Sequence, residues 1–128
     1  MIYVDTSVVL AHLLAEDRIP PDELWQEPLV ASRLLHFETW TRIHARGLAS
    51  SHGDTVRAIL SRIAVVEMHA FVLQRALEPF PAPVRTLDAL HLASIEFLRG
   101  HGQPVILASY DERMTDVARA LKITLFEL

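Results

Sequence analysis

The chain has 128 residues, the length of one ordinary domain, and we expect a single domain spanning residues 1–128. Hydrophobic residues make up 51% and charged residues 22%, which argues against intrinsic disorder, and no apolar run approaches the roughly 20 residues needed to cross a membrane. The net charge of -4 does not suggest a nucleic-acid binder, and the absence of cysteine excludes disulfides and thiolate metal sites.

The first half of the chain alternates strand and helix patterns. Residues 2–4 form a short β-type run, and Asp5-Thr6-Ser7 then supplies helix-capping chemistry for an apolar helical pattern from Val8. The start of the chain lacks the basic region of a signal peptide, so we expect a cytoplasmic protein. After Pro20-Pro21, residues 29–31 favour a second strand, and Ser32 is predicted to cap a helix that ends near Arg46 before Gly47.

The second half continues the alternation. Helices are predicted over 54–61, 69–77, 84–99 and 111–121, and strands over 63–66, 105–108 and 123–126. The helix over 84–99 has apolar residues around most of its circumference, so we expect it to be packed on several sides before Gly100 and Gly102 end it. Strands that are near-continuous apolar runs indicate a mostly parallel sheet. The predicted fold is therefore α/β, with a central sheet between two layers of helices.

Two acidic residues follow predicted strands directly or within three residues, and each precedes a helix. These are Asp5 and Asp111, which should lie at the carboxyl edge of the sheet, where such folds bind ligands. Aspartate is also a favoured helix N-cap, and for either residue alone that is the simpler explanation. The pair therefore indicates a site only together with further acids.

Two more carboxylates lie in apolar helical surroundings. Glu38 is flanked by Phe37 and Trp40, although a helical glutamate that simply reaches the surface is the commoner case. Asp88 lies in the most apolar helix, where an aspartate needs either a partner such as Arg85 or a ligand. Four such carboxylates are hard oxygen donors that suit Mg²⁺ or Mn²⁺, which supports phosphodiester hydrolysis without a protein nucleophile.

Three segments and one acid follow one another along the chain, namely Val4-Asp5-Thr6-Ser7, Glu38, Leu87-Asp88-Ala89-Leu90-His91-Leu92-Ala93 and Ser109-Tyr110-Asp111. In this order they resemble the corresponding segments of PIN-domain ribonucleases, in particular VapC-type toxins. The resemblance covers essentially the whole chain. One departure is Lys122, where relatives often have glycine after the last helix.

The resemblance implies an Mg²⁺- or Mn²⁺-dependent endoribonuclease that acts as the toxin of a type II toxin-antitoxin pair. It places the catalytic and metal-binding acids at Asp5, Glu38, Asp88 and Asp111, with supporting hydroxyls at Ser7 and Ser109. It further implies an RNA substrate, a cognate antitoxin that covers the acidic pocket and a homodimer. For the dimer, exposed helices around Trp25 and Trp40 are the expected contact regions.

Several alternatives stay open at the level of sequence. Glu67 or Glu96 could replace Glu38 on composition alone, and Asp116 competes with Asp111. His91 follows Asp88 by one helical turn and could contact it, but a packed histidine is the simpler role. None of the seven histidines forms a His-x-x-x-His pair, so zinc is not expected. The rival functions are a catalytically silent PIN-like module and a receiver-like Mg²⁺-binding domain.

Overall fold

Five parallel strands form one sheet in the computed structural model, which describes all residues from 1 to 128. The strands are β1 (Ile2–Val4), β2 (Leu29–Ser32), β3 (Ile63–Val66), β4 (Ile106–Ala108) and β5 (Thr124–Leu125). They lie side by side in the order β3-β2-β1-β4-β5, and every neighbouring pair is parallel. The predicted parallel sheet is confirmed, and β1 is its central strand.

Six α-helices and one 3₁₀ helix connect the strands. They are α1 (Thr6–Leu13), the 3₁₀ helix (Asp22–Gln26), α2 (Leu34–Ala45), α3 (Ala49–Leu60), α4 (Ala70–Ala76), α5 (Thr86–Gly100) and α6 (Glu112–Ala120). Each connection between parallel neighbours crosses a face of the sheet, as parallel pairing requires. None of these helices combines the length and hydrophobicity needed to span a bilayer.

Side chains of the sheet alternate between two separate apolar cores. Ile2 and Val4 point into a core shared with α1, α2 and α3, whereas Tyr3 points into a core shared with α4, α5 and α6. This alternation follows from the two-residue repeat of a β-strand. Helices therefore cover both faces of the sheet, and the predicted three-layer α/β/α architecture is confirmed.

One helix begins well before its predicted start. The prediction placed a short helix at 54–61, but α3 begins at Ala49 and ends at Leu60. Its first turn contains serines and Gly53, which are weak helix formers and concealed the helix in the sequence. Packing compensates, because Leu48 and Ala49 lie against the first core and Gly53 is buried.

Two local expectations need correction. Trp25 was expected on an exposed helix, but it lies in the 3₁₀ helix with only 9% of its surface exposed and its ring 4.7 Å from that of His12. The tight 3₁₀ turn directs Leu24 and Trp25 together into the first core.

Ser32 is the last residue of β2 and does not stand directly before α2, although its Oγ still accepts the Leu34 N–H at 3.1 Å.

The two positive-φ residues that follow α2 and α6 differ in type. Gly47 follows α2 with φ of 66°, as its sequence position suggested. After α6 the same left-handed conformation is taken by Lys122, with φ of 60°. A non-glycine residue there costs about 1 kcal/mol. The departure from glycine noted in the sequence therefore affects a helix terminus at the opposite end of the sheet from Asp5.

Candidate active site

The order in which the chain adds strands to the sheet reverses between β1 and β4. From β1 the chain adds β2 and β3 on one side, and it later adds β4 and β5 on the other. Val4 pairs with Ala108, so the residues that follow these two strands leave the sheet side by side. Open α/β sheets bind ligands in the crevice at such a switch point. Asp5 follows β1, and Ser109 to Asp111 follow β4 at that crevice.

A cavity of about 390 Å³ opens at this crevice. Its lining contains all four acids singled out from the sequence, each supplied by a different helix or helix start: Asp5, Glu38, Asp88 and Asp111. The remaining lining residues are Thr6, Ser7, Leu10, Arg42, Arg85, Thr86 and Leu87. Residues separated by more than a hundred positions therefore meet in one acidic pocket.

Asp5 is held by two serine hydroxyls. It occupies the N-cap position of α1, yet its side chain caps no backbone N–H of that helix. Instead Ser7 Oγ and Ser109 Oγ donate to Asp5 Oδ2 at 2.7 and 2.8 Å. The same hydroxyls accept the backbone N–H groups of Tyr110 and Asp111 at 3.0 Å. The simple capping explanation therefore fails for Asp5, and Ser7 and Ser109 fix its carboxylate.

Glu38 reaches the pocket from α2 and receives two hydrogen bonds on one oxygen. Thr6 Oγ1 donates to Glu38 Oε1 at 2.8 Å, and His91 Nε2 lies 2.6 Å from the same atom. Burial alone would raise the pKa of Glu38, but the bonds from His91 and Thr6 outweigh it and lower that pKa below its usual value. Glu38 is therefore held as a carboxylate, with Oε2 left free of these bonds.

A buried chain of hydrogen bonds connects Glu38 to the central strands of the sheet. The Ser32 N–H donates to the Tyr3 hydroxyl at 3.1 Å, and that hydroxyl lies 2.7 Å from His91 Nδ1. A histidine tautomer with its proton on Nε2 satisfies this chain as far as Glu38. Burial opposes charge on His91, but hydrogen bonding to Glu38 and the nearby carboxylates raise its pKa overall. His91 therefore positions Glu38, a role that its helical spacing from Asp88 did not reveal.

Asp88 and Asp111 share one arginine. Arg85 donates from Nε to Asp88 Oδ2 at 3.2 Å and from Nη2 to Asp111 Oδ2 at 3.0 Å. Burial and the charges of Asp111 and Asp5 raise the pKa of Asp88, and Arg85 opposes this rise only in part. The arginine proposed as the simple partner of Asp88 is therefore present, and it does not fully offset the cost of burying the Asp88 charge beside two other carboxylates.

Asp111 combines two roles. Its Oδ1 accepts the backbone N–H groups of Arg113 and Met114 at 3.0 and 3.3 Å, which makes it the N-cap of α6. Its Oδ2 faces the pocket, where Arg85 binds it. The capping explanation that was kept open for Asp111 is thus correct for one oxygen and leaves the other directed at the acidic cluster.

The family of this fold is shown by comparison with known proteins. Residues 2–120 match the PIN domain family. The chain belongs to the PIN domain family. The resemblance drawn from the sequence segments is therefore confirmed at the level of the family, and the receiver-like alternative is excluded. No curated protein matches the chain significantly.

Solved structures of PIN proteins share this fold at low sequence identity. One is VapC20 of Mycobacterium tuberculosis, described as a sarcin-ricin loop cleaving toxin, with 20% identity, a TM-score of 0.65 and coverage of 91% of this chain and 94% of that chain. Another is VapBC-1 of nontypeable Haemophilus influenzae, with 14% identity, a TM-score of 0.66 and coverage of 99% of this chain and 98% of that chain. These similarities show a common fold over the full length of the PIN domain.

The pocket of this PIN domain fits a divalent cation in the chemistry of its donors. Mg²⁺ and Mn²⁺ prefer carboxylate oxygens, and repulsion among Asp5, Asp88 and Asp111 favours a cation between them. No three acidic or histidine side chains stand at coordinating distances as they are placed. The guanidinium of Arg85 instead lies between Asp88 and Asp111. The Arg85 side chain is largely exposed, so it can move away without disturbing the core. Its displacement would free the carboxylates of both Asp88 and Asp111.

The competing acids lie outside the pocket of the PIN domain. Asp116 pairs with Arg119 on the surface, and its side chain is 74% exposed. Glu67 pairs with Arg33, and Glu96 pairs with Arg75, so neither carboxylate can replace Glu38. Of the competing acids, Asp111 and Glu38 are therefore the ones that line the pocket, and their role as ligands stays a prediction.

Proposed function

We propose that this PIN domain is a metal-dependent endoribonuclease that hydrolyses RNA phosphodiester bonds. The observation that carries the proposal is the convergence of Asp5, Glu38, Asp88 and Asp111 on one cavity at the switch point of the sheet. Mg²⁺ or Mn²⁺ held by these four acids would polarise a phosphoryl oxygen and make water a stronger nucleophile. All four acids are proposed as metal ligands and catalytic residues.

The remaining pocket residues orient these acids. Ser7 and Ser109 fix Oδ2 of Asp5, so the carboxylate plane is set before a ligand arrives. Thr6 and His91 likewise fix Oε1 of Glu38. Supporting hydrogen bonds of this kind typically affect metal affinity or activity by about 10- to 100-fold. Arg85 neutralises part of the negative charge until a cation replaces it.

We further propose that the nuclease is the toxin of a type II toxin-antitoxin pair in the cytoplasm. The support is the sequence resemblance to VapC-type toxins together with the fold shared with VapC20, which is described as a sarcin-ricin loop cleaving toxin. The shared fold with VapBC-1, a complex by its printed name, supports a cognate antitoxin partner. Such an antitoxin would carry a basic residue that neutralises the acidic pocket.

Removal of metal tests the proposed activity directly. Purified protein incubated with RNA should cleave it in Mg²⁺ or Mn²⁺ and should lose all cleavage in EDTA, because the acidic pocket alone repels the phosphate backbone. Cleavage products are separated on a denaturing gel, and added excess Mg²⁺ should restore them. Cleavage that survives chelation would overturn the metal mechanism, whereas tight metal-free RNA binding without cleavage would favour the silent PIN-like module.

We also propose that the chain forms a homodimer through α4. This short helix and the residue that caps its end expose three large apolar side chains, namely Phe71 at 78%, Leu73 at 44% and Leu77 at 81%. Leu73 and Leu77 line a hollow of about 750 Å³, and Phe71 lines a separate hollow of about 740 Å³ between α4 and α5. Neighbouring exposed apolar side chains of this kind typically mark an interface. A second copy of the chain is the proposed occupant, in place of the contacts expected from Trp25 and from Trp40, which is half-buried against the first core.

A charge placed on α4 should separate the dimer. In light scattering at micromolar concentration the wild-type protein should have the mass of two chains, and Leu77→Glu should shift it toward one chain because a charge cannot be buried unpaired. Ile19→Glu provides the control, since Ile19 is similarly exposed at 75% but lies far from α4 in the chain. A wild-type mass of one chain would contradict the proposal.

A further inference from the structure

Two arginines extend the face of α2 that carries Glu38. Glu38, Arg42 and Arg46 follow one another at four-residue intervals, so they lie on one side of the helix about 6 Å apart along its axis. Arg42 is on the last helical turn and Arg46 is the residue that caps its end. Both are exposed. This face of the helix therefore carries an acid at the pocket and then two cations with increasing distance from it.

A second groove continues from the acidic pocket along these arginines. It has a volume of about 610 Å³ and is lined by Arg18, Arg42, Arg46 and Tyr110 among others. Ser7, Leu10 and Arg42 line both this groove and the acidic pocket, so the two hollows adjoin each other. A chain that enters the pocket can therefore leave it along the groove.

The arginines of the groove are free of carboxylate partners. Five other arginines of the chain form ion pairs with acids, but Arg18, Arg42 and Arg46 have no carboxylate within 4.0 Å. Glu16 and Asp17 also line the groove and stay beyond that distance. In a chain with net charge -4, these unpaired cations beside the pocket create a local attraction for an anion.

Tyr110 adds an aromatic ring to the groove. The Arg18 guanidinium lies 5.4 Å from the ring centroid, and its Nη1 donates to the Tyr110 carbonyl at 3.0 Å. These contacts hold Arg18 at the groove. A cationic groove with an aromatic side chain is the arrangement that binds single-stranded nucleic acid, because phosphates contact the cations and bases stack on the ring.

We propose that this groove binds the single-stranded RNA that extends beyond the scissile bond. Arg42 and Arg46 contact successive phosphates, Arg18 contacts a third, and Tyr110 provides a stacking surface for a base. The proposal rests on the proposed nuclease function and names the residues that position its substrate. It explains how an acidic protein holds a polyanion, since binding is local rather than a result of net charge.

Binding of uridine homopolymer RNA tests the groove. With an oligonucleotide of about 12 residues, measured by fluorescence anisotropy in the non-cleaving Asp88→Asn background, Arg46→Ala should weaken binding about tenfold. The slope of log affinity against log salt should also fall by about 0.7, the value for one phosphate contact on a single strand. Arg57→Ala is the matched control, because Arg57 is exposed but paired with Asp54 away from the groove.

Substrate length separates a binding role from a structural one. In the otherwise unchanged protein, Arg46→Ala should lower kcat/KM about tenfold for the longer RNA and leave it unchanged for a substrate of about 4 nucleotides, which does not reach Arg46. Equal losses on both substrates would overturn the proposal, as would an unchanged affinity and salt slope in a wild-type protein that cleaves RNA. Failure of the wild-type protein to cleave any RNA would instead overturn the nuclease function, while the binding measurement would still test the groove.

Discussion

Asp88→Asn is expected to lower RNA cleavage by about a hundredfold or more while making the folded protein more stable. A catalytic cation supplies several kcal/mol of transition-state stabilisation, and each loss of about 1.4 kcal/mol is tenfold in rate. Replacement of a proposed ligand by an amide weakens the hold on that cation. Both effects are measured on one preparation, by cleavage in saturating Mg²⁺ and by thermal unfolding in EDTA.

The gain in stability follows from the raised pKa of Asp88. Burial comes first among its causes, and repulsion from Asp111 and Asp5 adds to it. A carboxyl group whose folded pKa lies above its unfolded value binds more protons when folded, so stability falls as the pH rises through the interval between the two values. At neutral pH the ionised group therefore destabilises the fold. Asparagine removes this cost and should raise Tm in the metal-free protein.

The pH dependence and a matched variant check this assignment. The difference in Tm between Asp88→Asn and wild type should narrow as the pH is lowered through the ordinary aspartate pKa of about 3.9, since below that pH Asp88 is protonated in both the folded and the unfolded state. Asp54→Asn removes a fully exposed carboxylate that pairs with Arg57, so it should change neither cleavage nor Tm appreciably. Wild-type cleavage rates in Asp88→Asn would refute its role as a ligand.

Asp111→Asn and Asp116→Asn should have opposite consequences for activity. Asp111 faces the acidic pocket through Oδ2, so its replacement should reduce cleavage by orders of magnitude. Five residues further along α6, Asp116 is turned about 140° away on the helix and pairs with Arg119 at the surface. Asp116→Asn should therefore keep most of the activity. Cleavage is compared at saturating metal, with circular dichroism as the check on folding.

The asparagine substitution separates the two roles of Asp111. Asparagine is as good a helix N-cap as aspartate, so the bonds from the Arg113 and Met114 N–H groups can be kept. Loss of activity without loss of helix content would then be due to the pocket-facing oxygen. If Asp116→Asn were instead the more damaging change, the assignment of the acid on α6 would be wrong.

The fold and three of the four acids could be predicted because their signals are local, whereas Glu38 was identified through the family resemblance. Each strand is a short apolar run, and β1 is followed directly by its acid while Asp111 comes three residues after β4. Parallel strands bring their carboxyl ends to one edge, so the meeting of Asp5 with Asp111 follows from the strand pattern alone. Asp88 was conspicuous because apolar residues flank it on both sides, at Leu87 and at Ala89-Leu90. Their function as ligands stays a prediction.

The supporting contacts could not be predicted because they join distant parts of the chain. The bond between Tyr3 and His91 links residues 88 positions apart, and that between His91 and Glu38 links residues 53 positions apart. Arg85 was named only as a partner of Asp88, although it also binds Asp111. Weak helix formers likewise concealed the first turn of α3, where packing of Ala49 on the core overrides propensity.

The buried bonds of Tyr3 and His91 make the cleft a preorganised receptor. Through them β2, β1, α5 and α2 are joined in series by three hydrogen bonds beneath the cavity. The two walls that carry Glu38 and Asp88 therefore cannot separate unless buried polar groups lose their partners, which is costly. The walls themselves therefore have little conformational entropy left to lose on complex formation. A ligand or protein inhibitor must accordingly adapt its own shape to this cleft.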